Sequence, residues 1–224
     1  MSRRRIIIVD DHPLFRSALN QTLRGGDAAV AVEEAADLTA LSAALEADRD
    51  CDLVLLDLNM PQVRGFSGLL LLRAQYPDIP VMIISAVEDK TVVRRAFELG
   101  AAGYLHKSAG PTEIRRAIET VLSGEVFVPE GLTLGKDDEQ SALMRRLATL
   151  TPQQVRVLMM LSDGLMNKQI AYELSISEAT VKAHVSAILQ KLDVDSRTQA
   201  VIAASRIEDG QFEALFSTGA KEGR

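Results

Sequence analysis

Five short runs, most of them too uniformly apolar for a sheet with one wet face, constrain this 224-residue chain more than any other feature. They are IIIVD (6–10), VAVEEA (30–35), LVLLD (53–57), VMIIS (81–85) and GYLH (103–106), all too short for helices. Helical patterns separate them. Pro13 suits a first helical turn, after which Leu14, Phe15, Ala18, Leu19 and Leu23 recur at helical spacing. Similar patterns fill roughly 38–47, 66–76, 89–99 and 111–123, with Gly100 and Gly124 as stops. Five strand–helix units in succession predict a doubly wound, five-stranded parallel sheet of the α/β class, with helices on both faces.

The texture changes after residue 124. Residues 125–149 carry glycines, a proline and the charge run KDDE, with no long periodic segment until Ser141, and read as a linker whose end is helical. Four short helical patterns follow at about 152–162, 167–174, 178–191 and 196–208. The expected organisation is an α/β domain over 1–124, a linker over 125–149, a small all-α domain over 150–212 and a disordered tail over 213–224.

Composition excludes several classes. No apolar run approaches the roughly 18 residues of a membrane span, and no signal-peptide pattern follows Arg3–Arg5, so a soluble cytoplasmic protein is expected. Cys51 is the only cysteine, and His12, His106 and His184 are scattered, which argues against disulfide, cysteine-zinc or histidine-metal sites. Net charge is −6. Residues 1–125 hold 14 basic and 18 acidic groups and residues 150–224 hold 8 and 9, so any DNA contact must come from placed charges rather than bulk attraction.

In an open parallel sheet, ligands bind beyond the carboxyl ends of the strands. Asp10 and Asp11 end the first strand, Asp57 the third and Ser85 the fourth, while Lys107 follows the fifth. Each acid alone could merely cap a helix. Together, three carboxylates within ~5 Å repel by about 3 kcal/mol per pair at an effective dielectric near 20, and such a cluster calls for a cation. Oxygen donors point to Mg²⁺.

Asp10-Asp11, Asp57 with Met60-Pro61 and Gly65, Ser85 after VMII, Tyr104 and Lys107 together resemble the receiver domain of bacterial two-component response regulators, over residues 4 to about 124. The resemblance implies a flavodoxin-like fold in which Asp57 accepts a phosphoryl group from a sensor histidine kinase. It further implies that Asp11, Asp57 and the Asn59 backbone carbonyl ligate Mg²⁺, and that Asp10 does so through water. Lys107 and Mg²⁺ would offset phosphoryl charge, and phosphoryl transfer needs such positioning and neutralisation above all. The implied switch moves Ser85 inward and lets Tyr104 rotate into the space it leaves; a charged hydrogen bond of ~1.5–3 kcal/mol falls short of the roughly 5.5 kcal/mol that full switching needs, so dimerisation must complete it. Lys107 is followed by Ser108, where many receivers have proline; Pro111 fits the present subfamily.

The segment NKQIAYELSISEATVKAHVSAILQKL (167–192) has the form of helix, tight turn and second helix. Ile170, Ala171 and Leu174 make the first inner face, Ser177 is an N-cap, and Val181, Val185, Ile188 and Leu192 form one apolar stripe. Lys182, Ala183, Ser186 and Gln190 fall on the opposite, polar side. Residues 150–210 resemble the four-helix LuxR-type domain of the NarL/FixJ regulators through Leu150-Thr151-Pro152, Gly164, Asn167-Lys168, Ile176-Ser177, Thr180-Val181-Lys182 and Arg197-Thr198. The resemblance implies base contacts from Lys182, Ala183 and Ser186, phosphate contacts from Lys168, Thr180 and Lys191, and pairing of two protomers through the last helix at Ala200, Val201 and Ala204. The family usually has Glu where this chain has Gln154 and Arg156, which puts any salt bridge of those acids in doubt. Four basic residues, Lys168, Lys182, Lys191 and Arg197, cap the dimer at eight phosphate contacts, a salt slope of no more than about 7.

The reading is therefore a non-enzymatic, phosphorylation-controlled transcription regulator. Its expected partners are a sensor histidine kinase, promoter DNA and a second copy of itself, with RNA polymerase a further candidate. The alternative is a regulator that binds DNA whatever the state of its receiver-like domain. An aspartate-nucleophile phosphatase would want an acid two residues after the nucleophile, where Asn59 stands. A pure protein-interaction module would not need the complete reading helix.

Overall fold

The computed structural model describes residues 4–25, 30–61, 63–133 and 139–208. Strands β1 (Arg4–Val9), β2 (Val30–Ala35), β3 (Leu53–Leu56), β4 (Val81–Ser85) and β5 (Gly103–His106) form one parallel sheet in the order β2-β1-β3-β4-β5. Helices α1 (Pro13–Arg24), α2 (Leu38–Ala47), α3 (Ser67–Gln75), α4 (Lys90–Glu98) and α5 (Pro111–Leu122) connect and follow them.

The strand period of two sorts the apolar side chains into two layers. Ile6, Ile8, Leu53, Leu55, Met82 and Ile84 pack with Leu19 and Leu23 of α1 and Ile114, Ile118 and Val121 of α5. Ile7, Val9, Val54, Leu56 and Ile83 pack on the other face with Leu41 and Leu45 of α2, Leu69 of α3 and Ala96 of α4. Each fully buried Leu or Ile contributes roughly 1.5–3 kcal/mol, so the doubly covered sheet forms a rigid platform. Gly100 and Gly124 stop their helices at φ +91° and +89°, a left-handed conformation costly for residues with a Cβ.

Within the segment read as a linker, Phe127 is tied to the sheet. Phe127 pairs in parallel with Gly103 on the free edge of β5: its N–H donates to the Ala102 carbonyl (3.0 Å) and its carbonyl accepts from Tyr104 N–H (3.3 Å). The ring is buried, with the Arg116 guanidinium 5.5 Å from its centroid. The signal was a single aromatic in VFVP, too short for a periodicity to detect.

Five helices follow among the described residues: α6 (Glu139–Leu147), α7 (Pro152–Ser162), α8 (Asn167–Glu173), α9 (Glu178–Leu192) and α10 (Arg197–Glu208). Thr151 and Gln154 close a capping box on α7, and Ser177 caps α9 by accepting from Thr180 N–H. Val181, Ile188 and Leu192 of α9 are buried. This bundle packs on the α/β unit, with α7 against α3 and α6 against α4, and the apolar cluster runs without a break from one to the other. Phe66 N–H donates to the Ile207 carbonyl at 3.2 Å, Arg64 pairs with Asp163, and Ser141 Oγ–H donates to Glu98 Oε1 at 2.5 Å. Two of these links hold the loop that leads from β3 to α3. The expected disordered tail lies outside the described residues.

Candidate functional site

Parallel pairing of Val9 with Leu56 brings the exits of β1 and β3 side by side, so Asp10 and Asp57 emerge as neighbours. Asp57 N–H donates to the Val9 carbonyl at 2.9 Å, which fixes the loop start. Asp10 and Asp57 are each only 1% exposed. Lys107, carried by the end of β5, lies across both: its Nζ is 2.7 Å from Asp10 Oδ2 and 2.8 Å from Asp57 Oδ2. The Phe15 ring, 4.9 Å from the same nitrogen, covers another side of it.

Burial pushes the Asp57 carboxyl above its ordinary range, against the opposing pull of Lys107 and of the Asn59 backbone N–H. For Lys107, burial works against the charge, but hydrogen bonds and attraction from Asp10 and Asp57 overcome it and hold the ammonium above the usual lysine range.

Ligand atoms from Asp10, Asp11, His12 and Asp57 all lie within 4.8 Å of one another. His12 stands in this group, although the scatter of the three histidines along the sequence argued against a histidine-metal site. Its Nδ1 is 2.8 Å from Asp11 Oδ1 and 3.1 Å from Asp10 Oδ1, and its backbone N–H donates to Asp10 Oδ1 at 2.7 Å. Adjacency to Asp11 was the overlooked signal. Asp57 Oδ1 is buried and has no hydrogen-bond partner among the described residues. A carboxylate oxygen left bare in a cluster of acids is costly, and a hard divalent cation with its waters fits that oxygen-rich set.

Ser85 is fully buried and its Oγ accepts from Val87 N–H at 3.2 Å. Tyr104 is already turned inward, 2% exposed, with its hydroxyl donating to the Val87 carbonyl at 2.7 Å. Burial pushes that phenol up to about 12.

At the other end of the chain, Lys182, Ala183, Ser186 and Gln190 form an exposed face on α9, and Lys168 and Thr180 are exposed beside it. Lys182 lies 3.5 Å from Glu178, one turn back. Three residues expected at an interface lie inside the chain here. Lys191 is turned inward, its Nζ donating to the Thr149 carbonyl (2.7 Å) and Gln154 Oε1 (2.9 Å), so it braces α7 against α9 rather than facing phosphate. The amide of Gln154 thus keeps a link that would otherwise be ionic. Ala200 and Ala204 are wholly buried, because they share the i, i+3, i+4, i+7 stripe of α10 with Ala203 and Ile207, which packs inside. Among the expected pairing residues only Val201 keeps accessible surface, next to the exposed Ile202. Arg197 is also engaged, donating to the Leu165 carbonyl and to Asn167 Oδ1.

Among the described residues, no helix is long and apolar enough to cross a membrane. Comparison with known families places the response regulator receiver domain over residues 6–119 and the bacterial regulatory proteins of the luxR family over 148–204. The glycerol metabolism activator of Pseudomonas putida is 44% identical over 213 residues, 91% of this chain and 96% of that protein. The nitrate/nitrite response regulator NarL of Escherichia coli is 32% identical over 201 residues, covering 88% and 93%. The RcsB response regulator of Salmonella typhimurium shares the fold, with a TM-score of 0.54 at 23% identity over 92% of this chain and 99% of that one. An acid-lined strand rim and a helix-turn-helix joined in one chain, matched along nearly its whole length, make this protein a two-component response regulator of the NarL type, a transcription regulator with a receiver domain and a LuxR-type DNA-binding domain.

Proposed function

We propose that Asp57 takes a phosphoryl group from a sensor histidine kinase and that this modification controls pairing and promoter binding by the helical domain. The observation that carries the reading is the bare, buried Oδ1 of Asp57, held beside Lys107 and two further acids. Asp10, Asp11 and Asp57, with the carbonyl of Asn59, would hold Mg²⁺. The ion supplies neutralisation of charge on the phosphoryl oxygens when bound. Lys107 stands ready to neutralise the remainder, and Ser85 offers a hydroxyl proton from the end of the next strand.

The route to the DNA-binding half runs through the loop after β3. Phe66 and Arg64 hold Ile207 of α10 and Asp163 after α7, so a change in charge at Asp57 acts on the segment against which the helical domain rests. Release would free α10 to pair with a second copy through Val201 and Ile202, giving two reading helices for a two-fold-related site. The reading face is already exposed, so pairing rather than unmasking of α9 is the controlled step.

Radiolabelled acetyl phosphate with magnesium, followed by DNase footprinting, tests this. Label on the wild type, none on Asp57→Asn, and protection of a palindromic site only with the donor are expected. Label retained by Asp57→Asn would identify another acceptor, and equal protection without donor would overturn phosphate control.

A further inference from the structure

The loop between β4 and α4 is held onto β5 at two points, and the switch that the family resemblance implies uses only one of them. Tyr104 bonds the Val87 carbonyl. His106, two residues along the same strand and paired in register with Ser85, reaches the Ala86 carbonyl with its Nε2 at 2.9 Å. A carbonyl can only accept, so Nε2 carries the proton. Ser108 N–H donates to Nδ1 at 3.2 Å, which requires a bare lone pair there, and the Ser108 hydroxyl lies 2.5 Å from the same atom. The partners on both sides therefore direct the Nε2 proton to the Ala86 carbonyl, with Glu88 Oε1 3.5 Å from the same nitrogen, and fix the ring plane. Lys107 N–H donates to the Ser85 carbonyl at 2.8 Å, one residue away from the His106–Ala86 anchor on each strand. Ser85, whose hydroxyl faces Asp57 chemistry in the proposed function, thus sits on a backbone clamped by the residues flanking it on the neighbouring strand.

We infer that His106 is a positioning residue for phosphoryl capture: its Nε2–H to Ala86 bond holds the loop, and with it Ser85 and Val87, in the arrangement that has Tyr104 turned inward. This rests on the reading of Asp57 as the phosphoryl acceptor. The inward arrangement is the one that the switch implied by the family resemblance assigns to phosphorylated Asp57, so the bond pre-organises the site for that group. Losing it leaves the Ala86 carbonyl unpaired and lets the loop drift from the acceptor.

The test is affinity for beryllofluoride with magnesium, a stable phosphoryl mimic, measured on the full chain by calorimetry, together with the solvent exchange of the His106 Nε2 proton by NMR. His106→Leu should bind the mimic about fivefold more weakly, the factor one ordinary hydrogen bond supplies. His106→Gln, whose amide can donate to the Ala86 carbonyl, should recover to within about twofold of wild type on the same reasoning. In the wild type, the Nε2 proton should exchange more slowly once the mimic is bound. Equal affinities in wild type and Leu variant, equal loss in Leu and Gln variants, or exchange unchanged by the mimic would each overturn the assignment. A wild type that does not bind the mimic at all would instead refute Asp57 as the acceptor.

Discussion

Replacing Asp57 with Asn should stabilise the protein in the absence of divalent cations, although it removes an ion pair. At 4.8 Å, the upper limit of separation within the cluster, and an effective dielectric near 20, Asp57 is repelled by Asp10 and by Asp11 by about 3.5 kcal/mol each. Its attraction to Lys107 at 2.8 Å is worth about 6 kcal/mol on the same scale. Attraction to Lys107 offsets most of that repulsion, and burial is the larger cause that holds the carboxyl above its ordinary range. The desolvation of a carboxylate that is 1% exposed adds to the penalty, and a net gain of about 2 kcal/mol is expected for the amide. For a chain of this size that raises the melting temperature by roughly 4–8 °C.

The pH dependence follows from the same cause. Because the folded-state pKa of Asp57 is raised, the wild type is spared the penalty while the carboxyl is protonated and incurs it as pH rises through that pKa. The gap between variant and wild type should accordingly vanish on acidification and open towards neutrality. Millimolar magnesium should narrow or reverse it, since only the wild type keeps the full carboxylate set and gains from binding. Differential scanning calorimetry at low salt, with and without magnesium, reads all three effects. An Asn variant melting at or below the wild type near neutral pH without divalent ions would refute the claim that repulsion and burial outweigh the lysine.

Other consequences are open to direct measurement. With Lys191 and Arg197 turned to internal partners, Lys168 and Lys182 leave four basic contacts per dimer, so the slope of log affinity against log salt should be about 4 in magnitude rather than 7; fluorescence anisotropy across salt decides, and a slope near 7 would return the other two to the interface. Lys191→Ala should lower the melting temperature of the helical domain while changing that slope little, whereas Lys182→Ala should weaken binding to the specific site at unaltered stability. Asp163→Ala removes a half-exposed pair worth at most about 1 kcal/mol, and should raise DNA affinity of the unphosphorylated protein by no more than about fivefold; a fall in affinity would count against docking as a restraint. Burial pushes the Cys51 thiol up to about 11, so iodoacetamide near neutral pH should label it only after unfolding in urea.

Much of this molecule follows from local pattern. A run such as LVLLD is buried on both faces because it has no polar side to offer, and an acid directly after it can only emerge at the sheet rim; the Asp10, Asp11, Asp57, Ser85 and Lys107 constellation was legible for that reason. The α9 face was legible too, since a helix of known period assigns Val181 and Lys182 to opposite sides without reference to any neighbour. In α10 the resemblance, not the period, assigned Ala200, Val201 and Ala204 to pairing, since a stripe of alanines suits either a partner helix or the helix's own bundle. The choice between them came from the packing of Ala200, Ala204 and Ile207 inside the chain.

Tertiary structure decided whatever depends on atoms brought together from distant segments. The inward turn of Lys191 needs Thr149 and Gln154, some forty residues back, and the docking of the helical domain needs Arg64 and Phe66 to meet Asp163 and Ile207. Long flexible or polar side chains have several partners of similar energy, and only the assembled surroundings select one. Strand ends and helix faces are properties of a few consecutive residues, and so the order of the amino acids determined them; the partner of each charged group is a property of the whole packed chain.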